Sequence, residues 1–188
     1  MQRPLAVALT GGIAAGKSEA LNAFARRGAA TVSTDAVVHD LLAHDEDVRS
    51  AIRARWGDDA VGDRRRIGEI VFTDPSELAW LEGVLHPRTR AAVDEWLAGV
   101  EEPIAAVEIP LLYETGGESR FDAVVVVTAP PETRAARRAP ADGRETRLVP
   151  DEEKMRRADF SYVNDGSLEA LDAFVAGVLD KLLSSSAG

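Results

Sequence analysis

The stretch "ALTGGIAAGKSEAL", residues 8–21, constrains this chain more than any other. Gly11, Gly16, Lys17 and Ser18 fit the spacing G-x-x-x-x-G-K-[ST], with an apolar run before them and a helix-like pattern after. Glycines let the backbone curl until successive N–H groups converge on phosphate oxygens, and the helix N-terminus adds its positive end. In such a loop Lys17 reaches the β- and γ-phosphates and Ser18 offers its hydroxyl to Mg2+. The sequence therefore predicts a nucleoside-triphosphate site between a buried strand and a helix. Glu19, a carboxylate beside that charge, is expected to point off the first helical turn into solvent.

The rest of the chain agrees with an α/β fold. Apolar runs at 5–9, 104–109 and 123–128 lack alternation, as expected of strands buried on both faces of a parallel sheet. A weaker run at 30–33 follows Gly28, which is placed to end the first helix. Helical patterns cover 17–27, 36–43, 47–56, 76–98 with an interruption near Pro87, 131–138 and 168–183. The helical stretch between the second and third strands exceeds what a crossover needs, so it reads as an inserted acceptor-binding subdomain. The last five residues, "SSSAG", read as a frayed tail.

Composition narrows the partners. A formal net charge of −10 argues against a broad nucleic-acid or acidic-membrane surface, because both need a positive field. An anionic ligand must then meet locally clustered arginines. With no cysteine, disulfides, zinc-thiolate sites and thiol nucleophiles are excluded. The first apolar run is too short for a membrane span and leads directly into the glycine turn, so a cytoplasmic protein is expected.

A triphosphate site alone leaves GTPases, ATPases and small-molecule kinases open. No guanine-reading N-K-x-D stretch or D-x-x-G switch stands in a suitable place. Instead Asp35 lies just past the second strand, at the sheet edge where open α/β folds bind ligands. A carboxylate there can take the proton of an attacking hydroxyl. It can equally cap the helix that follows.

The segments "ALTGGIAAGKS", "TDAVVH", "LHPRTR", "EIPLLYE" and "ADFSYVNDG" occur in the order, and at roughly the spacings, of the dephospho-CoA kinase family, which the chain resembles over nearly its whole length. The glycine loop discriminates little; "IPLLYE" and "LHP" with the aspartate after strand two discriminate much more. The resemblance implies ATP-dependent phosphorylation of the ribose 3′-hydroxyl of dephospho-CoA to CoA. It implies a P-loop core at 1–34, 103–133 and 159–188, an acceptor-binding insertion at about 35–102 and a short lid at about 134–158. Asp35 falls on the family's catalytic aspartate, and Arg137 matches a family arginine. Gly12, Ile13, Ala14, Ala15, Gly16, Lys17, Ser18 and Glu19 are then the ATP loop. Asn164 would stand near the adenine, and Thr10, His86, Leu111, Leu112 and Glu114 near the acceptor. The partners implied are ATP, dephospho-CoA and Mg2+, with no nucleic acid, membrane or protein partner. The chain departs from the family at Ser33, where a paired aspartate is frequent, at Ala14, Ala15 and Glu19, and in a lid that lacks the usual glutamine.

Three further groups have bland alternatives. Arg134, Arg137, Arg138, Arg144 and Arg147 suit phosphate oxygens as a lid, or belong to a solvated helix face; Lys154, Arg156 and Arg157 would assist them. Glu108 ends a buried strand, where such enzymes hold Mg2+ through water, while Leu111 and Leu112 could simply pack in the core. His86, with Arg88 and Arg90 as anion partners, could instead cap carbonyls freed at a helix break. His39 shares a helix face with Asp35, and His44 reads as surface. The competing functions are another P-loop small-molecule or nucleoside monophosphate kinase, and a nucleotide-binding regulatory protein.

Overall fold

Alternate residues of the central strands bury on opposite faces of one sheet, which is why the apolar runs show no alternation. In the computed structural model of the chain, which describes residues 3–137 and 148–185, the strands β1 (Leu5–Gly11), β2 (Ala30–Ser33), β3 (Ile104–Glu108), β4 (Ala123–Thr128) and β5 (Phe160–Val163) pair in parallel in the order β2-β3-β1-β4-β5. Helix α1 (Lys17–Arg26) follows β1. The helices α2 (Thr34–His44), α3 (Glu46–Trp56), α4 (Arg64–Thr73) and α5 (Pro75–Gly99) come between β2 and β3 in sequence. Then α6 (Pro131–Arg137) and α7 (Asp151–Arg157) precede β5, and α8 (Leu168–Ser185) follows it. The chain divides into two compact units, residues 1–33 with 99–188, and residues 34–98.

In the first unit, Val7, Leu9, Val125 and Val127 bury against Ala20, Ala23 and Phe24 of α1 and Leu171, Val175 and Val178 of α8. Removing Phe24, fully buried, from water is worth roughly 1.5–3 kcal/mol. The neighbouring residues Ala8, Val124 and Val126 bury on the other face with Leu112 and Tyr113, and Met155 and Ala158 pack there from the α7 segment. The carboxyl ends of β1, β3 and β4 converge, with Leu9 opposite Glu108 and Gly11 opposite Val127.

The second unit is a helical cluster around Leu42, Val48, Ile52, Ile67, Val71, Leu81 and Leu85. Asp45 caps α3 by accepting from the Val48 N–H at 2.9 Å, and Asp63 caps α4 by accepting from Arg65 and Arg66. Glu77 accepts from both Arg55 (3.0 and 2.8 Å) and the Trp56 indole (2.7 Å), joining α3 to α5.

Two sequence expectations change here. Helix α5 runs unbroken through Pro87, so there is no helix break at His86; buried Leu81, Leu85 and Val93 on either side hold the helix together. The tail does not fray at Ser184 and Ser185, whose hydroxyls donate to the carbonyls of Asp180 and Lys181 within α8. The remaining tail residues 186–188 lie outside the described residues. Among the described residues no helix is long and apolar enough to cross a membrane.

Candidate active site

The loop from β1 to α1 is shaped by left-handed backbone at three positions, Gly11 (φ 144°), Ala14 (φ 58°) and Gly16 (φ 98°). Two of them have no room for a side chain. A β-carbon on Gly11 would fall 1.8 Å from the Val127 carbonyl oxygen, and one on Gly16 would fall 2.3 Å from the Asn164 amide nitrogen. The helix's first internal bond is from the Ala20 N–H to the Gly16 carbonyl. By helix geometry the N–H groups of the first turn have no acceptor within the helix, which is what an anion site requires.

Lys17 arches over the loop, its Nζ donating to the carbonyls of Gly12 (2.9 Å) and Gly11 (3.3 Å). Ser18 is exposed, and its hydroxyl donates to Glu108 Oε1 at 3.5 Å. Glu108 itself is buried at the end of β3. One hydroxyl and one carboxylate oxygen are thereby brought together from two elements distant in sequence. Glu19 does not simply face solvent. Its carboxylate accepts from Arg26 (2.9 Å) and Asn22 (3.4 Å) along α1, so the charge is compensated on the helix surface.

Asn164 is buried and braces the loop. Its Nδ2 donates to the Ala15 carbonyl at 2.9 Å, its Oδ1 accepts from the Gly166 N–H, and its own N–H bonds the Thr128 carbonyl. Arg137 on α6 is exposed, with its guanidinium 3.8 Å from where a Gly16 β-carbon would stand and 3.6 Å from where one on Gly166 would. Arg138, Arg144 and Arg147 lie outside the described residues.

The residues expected at the acceptor behave unevenly. Thr10 is fully buried and its hydroxyl donates to the Pro110 carbonyl at 3.4 Å, tying β1 to the loop after β3. Leu111 is exposed, whereas Leu112 is wholly in the core. Glu114 is committed internally: its Oε1 takes Lys154 Nζ at 2.8 Å and the Val149 N–H at 2.9 Å. Lys154 is itself 1% exposed, so it serves as an anchor of α7 rather than as a lid cation. Arg157 lies over the Tyr113 ring at 4.3 Å and pairs with Glu118. Burial pushes the Tyr113 hydroxyl above its ordinary pKa.

Within the second unit, Asp35 is exposed in the first turn of α2, two residues past the end of β2. An acid there favours the helix N-terminus whether or not it does chemistry. His86 is half-buried in α5, and His39 is exposed on α2. Arg88 is paired with Asp47 (2.8 Å) and Asp45 (3.5 Å). Among the described residues no three His, Cys, Asp or Glu side chains cluster as a metal cage.

Residues 5–170 match the family model described as dephospho-CoA kinase. A curated dephospho-CoA kinase of Thermosynechococcus vestitus is 40% identical over 185 residues, covering 91% of each chain. A crystal structure of a Thermus thermophilus protein superposes with a TM-score of 0.81 at 33% identity, covering 96% of this chain and 99% of that one. A dephospho-CoA kinase structure from Campylobacter jejuni, at 24% identity, has the same fold with a TM-score of 0.72, covering 97% and 99%.

Proposed function

Because the chain belongs to the dephospho-CoA kinase family, we propose that it transfers the γ-phosphoryl group of ATP to the ribose 3′-hydroxyl of dephospho-CoA, giving CoA and ADP, with the residues of the β1–α1 loop as the nucleotide site. The observation that carries the residue assignment is the loop itself, where left-handed backbone, Lys17 and the Ser18–Glu108 contact meet at one sheet edge. In the transfer the acceptor oxygen bonds to the γ-phosphorus, the bond to the β,γ-bridging oxygen breaks, and the acceptor proton goes to Asp35. Lys17 and Arg137 neutralise charge on the phosphate oxygens, and the loop N–H groups hold the chain of phosphates in line.

Ser18 and Glu108 fit Mg2+. A hard, small cation takes few protein oxygens and completes its shell with phosphate and water, so a hydroxyl and a carboxylate without a third acid are a suitable donor set. Ser18 and Glu108 would hold the ion, which would supply neutralising positive charge to the phosphate groups of the donor. The unit 34–98 is then the acceptor-binding part, Leu111 an exposed apolar contact for the acceptor, and Leu112 and Glu114 the groups that hold its loop. Asn164 supports the nucleotide by fixing Ala15. The same reading carries a cytoplasmic location and small-molecule partners only.

ATP consumption by the purified chain against dephospho-CoA, nucleoside monophosphates, shikimate and water tests this. Turnover is expected with dephospho-CoA and is lost in a folded Lys17→Ala variant. Preferential turnover of a nucleoside monophosphate or of water would overturn the assignment.

A further inference from the structure

One carboxylate at the phosphate cradle has no part in the reaction as described. Asp151 opens α7, and its Oδ2 accepts the Thr128 hydroxyl at 2.6 Å and stands 3.2 Å from Arg134 Nη1. A β-carbon on Gly12 would be 2.7 Å and 3.1 Å from the two Asp151 oxygens and 3.2 Å from Arg134 Nη1. The ion pair is therefore packed directly on the glycine loop. A lone carboxylate in that place would repel a triphosphate; one already neutralised by an arginine does not.

The two partners differ in how firmly they are held. Asp151 belongs to α7, which is fixed by the buried Lys154–Glu114 pair and by the packing of Met155, and its carboxylate is tied to the end of β4 through Thr128. Arg134 sits on α6, a helix that buries no residue. The firm partner orients the loosely held one. Arg134 Nε, moreover, is buried, so this guanidinium is partly enclosed at the loop where Nη1 meets Asp151. Arg137 follows one turn later on the same helix, beside Gly16 and Gly166.

We propose that Asp151 is a positioning residue for phosphoryl transfer, holding Arg134, and with it α6 and Arg137, against the glycine loop, so that Arg134 is a further cation for the phosphate chain. This rests on the reading that the loop holds ATP. Pre-orienting a cation removes a reorganisation that would otherwise fall within the chemical step. The bland role for Asp151 is a first-turn acid on α7 that acts only on stability.

The test is a double-substitution cycle on the full chain, with kcat, KM for ATP and melting temperature read for each variant. Arg134→Ala is expected to lower kcat by ~10²–10³-fold, the scale of losing one oriented donor to developing charge. Asp151→Asn keeps an oxygen for Thr128 but loses the charge; it is expected to lower kcat ~10-fold, while the pair together are no worse than Arg134→Ala alone. Thr128→Val, which frees Asp151 without altering charge, is expected to lower kcat in the same direction by less. Additive losses, a lower melting temperature with kcat unchanged, or a lower KM at unchanged kcat in Asp151→Asn would each overturn the proposal. Lys17→Ala separates the two readings: if it remains active, the nucleotide assignment fails; if it is inactive while the Asp151 and Arg134 variants turn over normally, only the positioning role fails.

Discussion

Ala14 is the non-glycine residue that holds a positive φ, 58°, among the described residues, and it does so inside the phosphate loop. The left-handed region costs an L-residue about 1–2 kcal/mol, while a glycine there returns ~0.4–1 kcal/mol as unfolded-state freedom. Ala14→Gly is therefore expected to raise the denaturant midpoint slightly, by about 0.5–1 kcal/mol equivalent, with turnover near the parent's; a fall in the midpoint would show that the methyl group packs usefully. Asp35→Asn separates chemistry from helix geometry. As a base, Asp35 is expected to be worth ~10²–10⁴ in turnover with ATP binding retained, whereas as a first-turn acid it contributes only ~0.3–1 kcal/mol to α2. Single-turnover transfer and a melting curve on the same sample read both. At this scale the places of Lys17 and Ser18 at the start of α1 and of Glu108 at the end of β3 were legible, because motif spacing and strand ends fix them. The pairing of Glu114 with Lys154 was not, because it depends on a partner elsewhere in the chain, whereas the core place of Leu112 is one of the two readings that an apolar strand end allows.

Pro87 stands exposed in the interior of α5, removing an N–H from the helix ladder. Its cost relative to alanine is ~3 kcal/mol, partly offset by ~0.4–1 kcal/mol from a stiffer unfolded chain. Pro87→Ala is thus expected to stabilise the helical unit by about 2 kcal/mol, seen as slower amide exchange along α5; unchanged exchange would mean that its ring makes contacts worth as much as the lost bond. The sequence marks this proline as a break because propensity is local, while Leu81, Leu85 and Val93 act through tertiary packing. Four strands were readable because a sheet covered on both faces demands unbroken apolar runs. The fifth, β5, carries no such run: only Phe160 and Tyr162 pack on the core while Ser161 and Val163 are exposed, a four-residue edge pattern leading into a turn. Helix α4 had readable signals in Asp63 and the spacing of Ile67 and Val71, whereas α7 is a single charged turn or two whose helicity owes much to its buried lysine and Met155.

Across the whole molecule, acid stability is linked to how strand ends are satisfied. Asp122 accepts from the Ala6 N–H at 2.8 Å and from both Nη groups of Arg3, and the Arg3 hydrogen bonds hold its carboxyl below the usual range. A depressed carboxylate contributes stability above its unfolded pKa of ~3.9 and loses it as pH falls through the lower, folded value. Asp122→Asn is expected to lower the melting temperature at neutral pH and to flatten its decline below about pH 4; a variant with the parent's acid slope would locate the acid sensitivity elsewhere. The net charge of −10 gives the chain many other carboxylates, but most are exposed and screened. The placement of residues 34–98 between two hydrogen-bonded neighbours, β2 and β3, also sets a kinetic order. These strands can register only after the chain has closed the loop formed by that whole segment, and each doubling of an unstructured loop adds ~0.6 kcal/mol to closure. Since the segment has a core of its own, its condensation replaces that long loop by a compact unit, so that the pairing of β2 with β3 is coupled to the folding of the helices that separate them in sequence.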